Sequence, residues 1–127
     1  DVCLVPSQMR DPFPTTVLEA MSASRLVIAT NNGGAKEIIE HNENGFLVSP
    51  NHPQELADRI TEVLLNTSLI QSLGQQAQLK YKSDFQLNHF KRRWVDMIEE
   101  LVPNYISIPK FGKPIPFLEK SSVAKTN

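Results

Sequence analysis

The sequence predicts a partial Rossmann-like α/β fold, a parallel sheet with helices, followed by a C-terminal helical stretch. Two short apolar runs, Val2-Cys3-Leu4-Val5 and Leu26-Val27-Ile28-Ala29, end at turn residues and do not alternate with polar ones. That is the pattern of parallel strands covered on both faces. Between them Val17, Ala20, Met21 and Ser24 recur at the spacing of one helix face. Strand, helix, strand at this separation is a βαβ unit, with a right-handed crossover expected.

The first strand spans residues 2–5 and stops at Pro6-Ser7. The helix runs from Thr15 to Ser24, and the second strand covers 26–29 before Thr30-Asn31-Asn32-Gly33-Gly34. A short helix follows from Ala35 to Glu40, then a turn at Asn44-Gly45 and a third strand, Phe46-Leu47-Val48. Three helices come next with no strand between them. The first has Pro53 at its opening position, where a missing N–H costs nothing, and Leu56, Ile60, Val63 and Leu64 as its buried stripe. The second starts near Ser68, with Leu69, Leu73 and Ala77 inward. The third starts near Ser83-Asp84 or Gln86 and carries Leu87, Phe90, Trp94, Met97, Ile98 and Leu101. These elements make one domain over residues 1–102. Residues 103–127 hold four of the nine prolines and four Lys against one Glu, an extended tail without its own core.

Composition narrows the function. Thirteen Lys and Arg against fourteen Asp and Glu leave a net charge of −1. Nucleic-acid binding, which needs a basic field, is not expected. No apolar run approaches the roughly 20 residues that span a bilayer. The single cysteine, Cys3, excludes an internal disulfide and a cysteine zinc site; inside a strand it reads as a small buried hydrophobe. A cytoplasmic setting fits this usage. The chain opens in a strand without an initiator Met, so it is expected to be a fragment, inactive alone, with an open sheet edge and a tendency to self-associate.

The sharpest feature is Asp11-Pro12-Phe13-Pro14-Thr15-Thr16-Val17-Leu18-Glu19, which leads from the first strand into the helix. Ligands of open parallel sheets bind beyond the carboxyl ends of the strands. A helix start there offers free N–H groups and a positive dipole end to a phosphate. Pro12 and Pro14 have no N–H, so the donors are those of Phe13, Thr15, Thr16 and Val17. Asp11 precedes this start and Glu19 lies about one turn inside; a carboxylate accepts two hydrogen bonds from a sugar diol. Phosphate on the amides with a diol at each side describes a nucleotide-sugar. On residue chemistry alone, a turn aspartate and a solvated helical glutamate remain the alternative.

Asp1-Val2 through Pro6-Ser7, Phe13-Pro14, Val17-Leu18-Glu19-Ala20-Met21, Val27-Ile28-Ala29-Thr30, Gly33-Gly34, Glu37-Ile38-Ile39 and Asn44-Gly45-Phe46-Leu47-Val48 form an ordered set. In this set the chain resembles the C-terminal half of the nucleotide-binding domain of GT-B glycosyltransferases, family GT4, over about residues 1–102. The resemblance implies a hexosyltransferase-type enzyme. It transfers a sugar from a nucleotide diphosphate donor with retention at the anomeric carbon, to a carbohydrate or lipid-linked acceptor held by a domain outside this sequence. It places Asp11 at the donor sugar as the catalytic carboxylate, Glu19 at the ribose, and the amides between them at sugar and diphosphate. No cofactor and no metal are expected, and no Asp-x-Asp is present to carry a metal-bound diphosphate.

Asp11 is one methylene shorter than the Glu usual in the family. Ser24 stands where Gly normally ends the helix, Leu26 where Pro often starts the strand, and Asn31 where Asp is common. The family's Lys and Arg pair for the pyrophosphate belongs to an earlier loop. Gly33 and Gly34 serve a ligand approach or a tight strand-to-helix turn. Glu37 faces the cleft or is a surface or capping residue. His41, His52 and His89 read as surface or packing residues. Lys91-Arg92-Arg93 is a solvated face, with peripheral contact to an anionic membrane surface as its alternative. A GT-B epimerase or phosphorylase and a non-catalytic nucleotide-sugar-binding module are the alternative functions.

Overall fold

A computed structural model of the chain describes residues 1–101. Residues 1–86 form one compact unit. Its sheet has three parallel strands, β1 (Val2–Val5), β2 (Leu26–Thr30) and β3 (Phe46–Val48), in the order β1-β2-β3. Val2 pairs with Leu26 and Ile28 with Phe46. Between the strands lie α1 (Thr15–Ser22) and the four-residue α2 (Ala35–Ile38); α3 (Pro53–Leu65) and α4 (Thr67–Lys80) follow, then a π-helical turn, Tyr81–Phe85. The mixed α/β fold with a parallel sheet is the one expected.

β2 is buried at every residue, and side-chain alternation divides it between two cores. Val27 and Ala29 pack with Val17, Leu18, Ala20 and Met21 of α1 and with Ala35 and Ile38 of α2. Leu26 and Ile28 pack with Phe46, Val48, Val63 and Leu73 on the other face. Helix α4 supplies residues to both, Ala77 to the first and Leu73 to the second. Gly74 permits this, because a Cβ there would lie 2.3 Å from the Ser24 carbonyl oxygen.

Several expectations need correction. Helix α1 ends at Ser22, and Ser24 takes φ 56°. Its backbone occupies the left-handed conformation that a glycine would adopt without cost. Helix α2 ends at Ile38, two residues early. Leu64 is 66% exposed and leaves the α3 stripe, which is Leu56, Ile60 and Val63. β1 is half-buried with Leu4 exposed, because its outer edge has no strand partner among the described residues. Cys3 is likewise only half-buried. The final helix, α5 (Leu87–Leu101), follows the second of the two expected starts, near Gln86 rather than Ser83-Asp84, because the π-helical turn occupies Tyr81–Phe85. It belongs to a second unit, and its apolar stripe, Phe90 and Trp94 included, is exposed. The tail expected over 103–127 lies outside the described residues. No helix among the described residues is long and apolar enough to cross a membrane.

Candidate functional site

The carboxyl end of β1 leads into a loop, residues 6–14, that lies against the loop after β2. Gly34 N–H donates to the Asp11 carbonyl at 2.7 Å, and the Asn32 side-chain amide donates to the Gln8 carbonyl at 3.0 Å. The double glycine is required by this apposition. Gly33 has φ +53°, and a Cβ on it would meet the Asp11 carbonyl oxygen at 2.3 Å. A Cβ on Gly34 would meet the Pro12 carbonyl oxygen at 2.2 Å. Loop packing, rather than a tight turn alone, therefore demands both glycines.

The start of α1 carries no side-chain cap, and Pro14 holds the capping position with φ −70° and ψ 97°. Of the four expected donors, two are already engaged. Phe13 N–H donates to Asp11 Oδ1 at 2.9 Å, and Val17 N–H donates to the Pro14 carbonyl at 3.1 Å. The N–H groups of Thr15 and Thr16 have no acceptor among the described residues. An uncapped helix start with two open donors can receive hydrogen-bond acceptors, an anion among them.

Asp11 and Glu19 are both exposed on this helix start and its approach. Asp11 closes a turn through one carboxylate oxygen, and its second oxygen stays available. The shorter side chain has a structural use here, since an aspartate oxygen reaches the N–H two residues on. Beside Asp11 an open cavity of about 570 Å³ is lined by Arg10, Asn31, Lys36 and Glu37 with Gly33 and Gly34. Glu37 therefore borders the cleft. Arg10, Asn32 and Lys36 are contributions that sequence reasoning missed; their only signal was adjacency to Asp11 and to the double glycine. No cluster of metal-ligating side chains occurs among the described residues.

The histidines considered as packing residues have structural partners. His41 Nδ1 accepts from Leu47 N–H at 3.0 Å, and its ring meets Phe46 edge-on. His52 Nδ1 lies 2.7 Å from the Pro50 carbonyl.

The sequence profile described as glycosyl transferases group 1 matches residues 1–80. An exopolysaccharide phosphotransferase of Streptomyces coelicolor is 33% identical over 100 residues, 78% of this chain and 10% of that protein. Spore coat protein SA of Bacillus subtilis is 31% identical over 86 residues, 67% of this chain and 23% of that protein. Among solved structures, sucrose-phosphate synthase from Thermosynechococcus elongatus superposes with a TM-score of 0.76 at 27% identity, covering 82% of this chain and 26% of that one. HepE of Anabaena in complex with UDP-glucose gives 0.74 at 29% identity, covering 79% of this chain and 28% of that one. The chain thus spans less than a quarter of the length of these two curated relatives. A profile match running from Asp1 to the end of α4, on a sheet shared with glycosyltransferase structures, places this chain in the glycosyl transferases group 1 family.

Proposed function

We propose that the chain holds the nucleotide diphosphate-sugar donor of a retaining glycosyltransferase. The observation that carries this reading is the α1 start: two open N–H groups, Thr15 and Thr16, with an exposed carboxylate on either side. The diphosphate sits on those amides, with the helix dipole favouring its charge. Asp11 receives the sugar hydroxyls through its second oxygen, and Glu19 receives the ribose diol. HepE, which carries UDP-glucose, supports the donor class.

In the transfer, the bond from the anomeric carbon to the diphosphate breaks and one to an acceptor hydroxyl forms on the same face. The hydroxyl proton passes to the departing phosphate oxygen. Charge grows on that oxygen, so fixed N–H donors stabilise the transition state where it most needs it. The donor is bound without a metal or cofactor. The acceptor is a carbohydrate or lipid-linked chain seated by a part of the protein outside this sequence, and this chain is inactive without that part.

Glu19→Ala in the complete protein should weaken donor binding by about 10- to 150-fold, the loss of one charge-assisted bond worth about 1.5–3 kcal/mol. Titration calorimetry reads this directly, and unchanged affinity removes Glu19 from the ribose. Asp11→Asn keeps an oxygen for the Phe13 N–H, so the turn survives while the charge is lost. Turnover should fall with nucleoside diphosphate affinity intact; equal losses for donor and bare diphosphate would count against the assignment.

A further inference from the structure

Helix α5 has no buried residue along its 15 positions. A helix of that length is marginal in water without a packed face. Its large apolar side chains are Leu87, Phe90, Trp94, Met97, Ile98 and Leu101, from 37% exposed at Ile98 to 72% at Leu101. We infer that this face is an interface between two copies of the chain, paired antiparallel along α5. The inference is independent of the donor reading of Asp11 and Glu19.

Spacing sets the geometry. Leu87, Phe90, Trp94, Met97 and Leu101 follow one another at intervals of three, four, three and four residues. That is the repeat of a coiled-coil seam, in which the first (a) and fourth (d) positions of each heptad face the partner. Leu87, Trp94 and Leu101 take the a positions and Phe90 and Met97 the d positions. Ile98 borders the seam at e, and Arg93 and Glu100 border it at g. In an antiparallel pair each a position meets a d position of the other helix. Trp94 then meets Met97 of the second copy, and Phe90 meets Leu101 of the second copy. Each ring is set against a smaller or more adaptable side chain, and the Met97 sulfur gains an aromatic contact.

Charge selects the partner and its direction. Lys91, Arg92 and Arg93 lie in the first half of α5; Asp96, Glu99 and Glu100 lie in the second. In the antiparallel register Arg93 faces Glu100 of the second copy, and Glu100 faces Arg93 of the second copy. Lys91 faces Ile98 of the second copy, where its aliphatic stem covers apolar surface. The patch is therefore complementary to itself, as a two-fold interface between identical chains requires. A parallel pair would bring the two Lys91-Arg92-Arg93 runs together at like charge and set Trp94 against Trp94. An anionic membrane surface would attract the three cations and repel the three carboxylates, so α5 lacks the one-signed field that holds a helix there.

Analytical ultracentrifugation of the full chain tests this. The seam is only about 22 Å long, so the mass should rise from 14.3 kDa towards twice that value. The rise should fall at roughly 10–500 µM, the weak end of specific association. Trp94 is the only tryptophan, and its emission should shift to the blue over the same range. Arg93→Glu should weaken the dimer about 5- to 30-fold, because two ion pairs become two repulsions. Glu100→Arg should do the same, and the two substitutions together should restore pairing with the signs reversed. Trp94→Ala should leave a monomer. A mass of 14.3 kDa at every concentration overturns the pairing. So does a double variant as weak as either single one, or a dimer that survives Trp94→Ala and hence uses another surface, such as the outer edge of β1. A monomer that pellets with phosphatidylserine vesicles gives the face to a membrane instead. The complete protein should dimerise too; a monomeric complete protein with Trp94 shielded from acrylamide would show that its own remaining part covers α5, and the inference fails.

Discussion

At the scale of single residues, the site is governed by how closely two loops approach. A Cβ added to Gly34 would lie 2.2 Å from the Pro12 carbonyl oxygen, and no side-chain rotation relieves that clash, because the obstacle is backbone. Gly34→Ala should therefore push residues 11–14 away from the sheet and destabilise the chain by about 1–3 kcal/mol, the usual range for overpacking. Urea unfolding checks the stability. The Asp11 turn gives a finer contrast. Asp11→Glu loses the local bond to Phe13 N–H because the longer side chain no longer fits that two-residue reach, whereas Asp11→Asn retains it. A lower melting temperature for the Glu variant than for the Asn variant is the expected result.

At the scale of elements, each helix owes its place to one face. Met21 of α1 is fully buried against β2 and α2, and Leu64 of α3 is largely exposed one turn after Ile60. Met21→Ala should cost about 2–5 kcal/mol, the transfer and cavity terms together. Leu64→Ser should stay within about 0.5 kcal/mol of the parent. Chemical denaturation of the two variants under one set of conditions makes the comparison, and equal losses would contradict the packing described. The starts of α1, α3 and α4 all lack a side-chain cap, and what sets α1 apart is its place after the carboxyl end of β1, where parallel sheets take their ligands.

At the scale of the whole molecule, a sparse set of surface charges ties distant segments together. Lys80 of α4 meets Glu40 at 2.6 Å and Asp84 at 2.9 Å. The two carboxylate bonds push the Lys80 ammonium up to about 12, and the Lys80 bond holds Glu40 below its ordinary 4.5. Glu55 is also held below 4.5, chiefly by the Ser49 N–H. A depressed carboxylate stabilises the fold above its ordinary value and loses that contribution as pH falls through the lower folded value. The Lys80 contribution is complete below 10.5 and is lost as pH rises through about 12. Stability should thus decline on acidification below about 4.5, and Glu55→Gln should make that decline shallower. Circular dichroism against pH measures it. High salt should weaken the exposed Glu40–Lys80 link more than the Glu55 bond to a backbone N–H.

The three strands, the helix between the first two, the double glycine and the ordered motif set were legible in the residue order. Each is a local pattern, since apolar runs, helical spacing and turn residues act over neighbours a few positions apart. The same holds for Asp11, Glu19 and the helix start as a candidate anion site. Tertiary structure alone decided which of its N–H groups stay open, because the acceptors that occupy Phe13 and Val17 depend on how Asp11 and Pro14 are turned. It also decided the exposure of Leu64, the reach of α4 across both cores, and the cavity beside Asp11. Burial and hydrogen-bond partnership are settled between residues far apart in the chain, where periodicity carries no information.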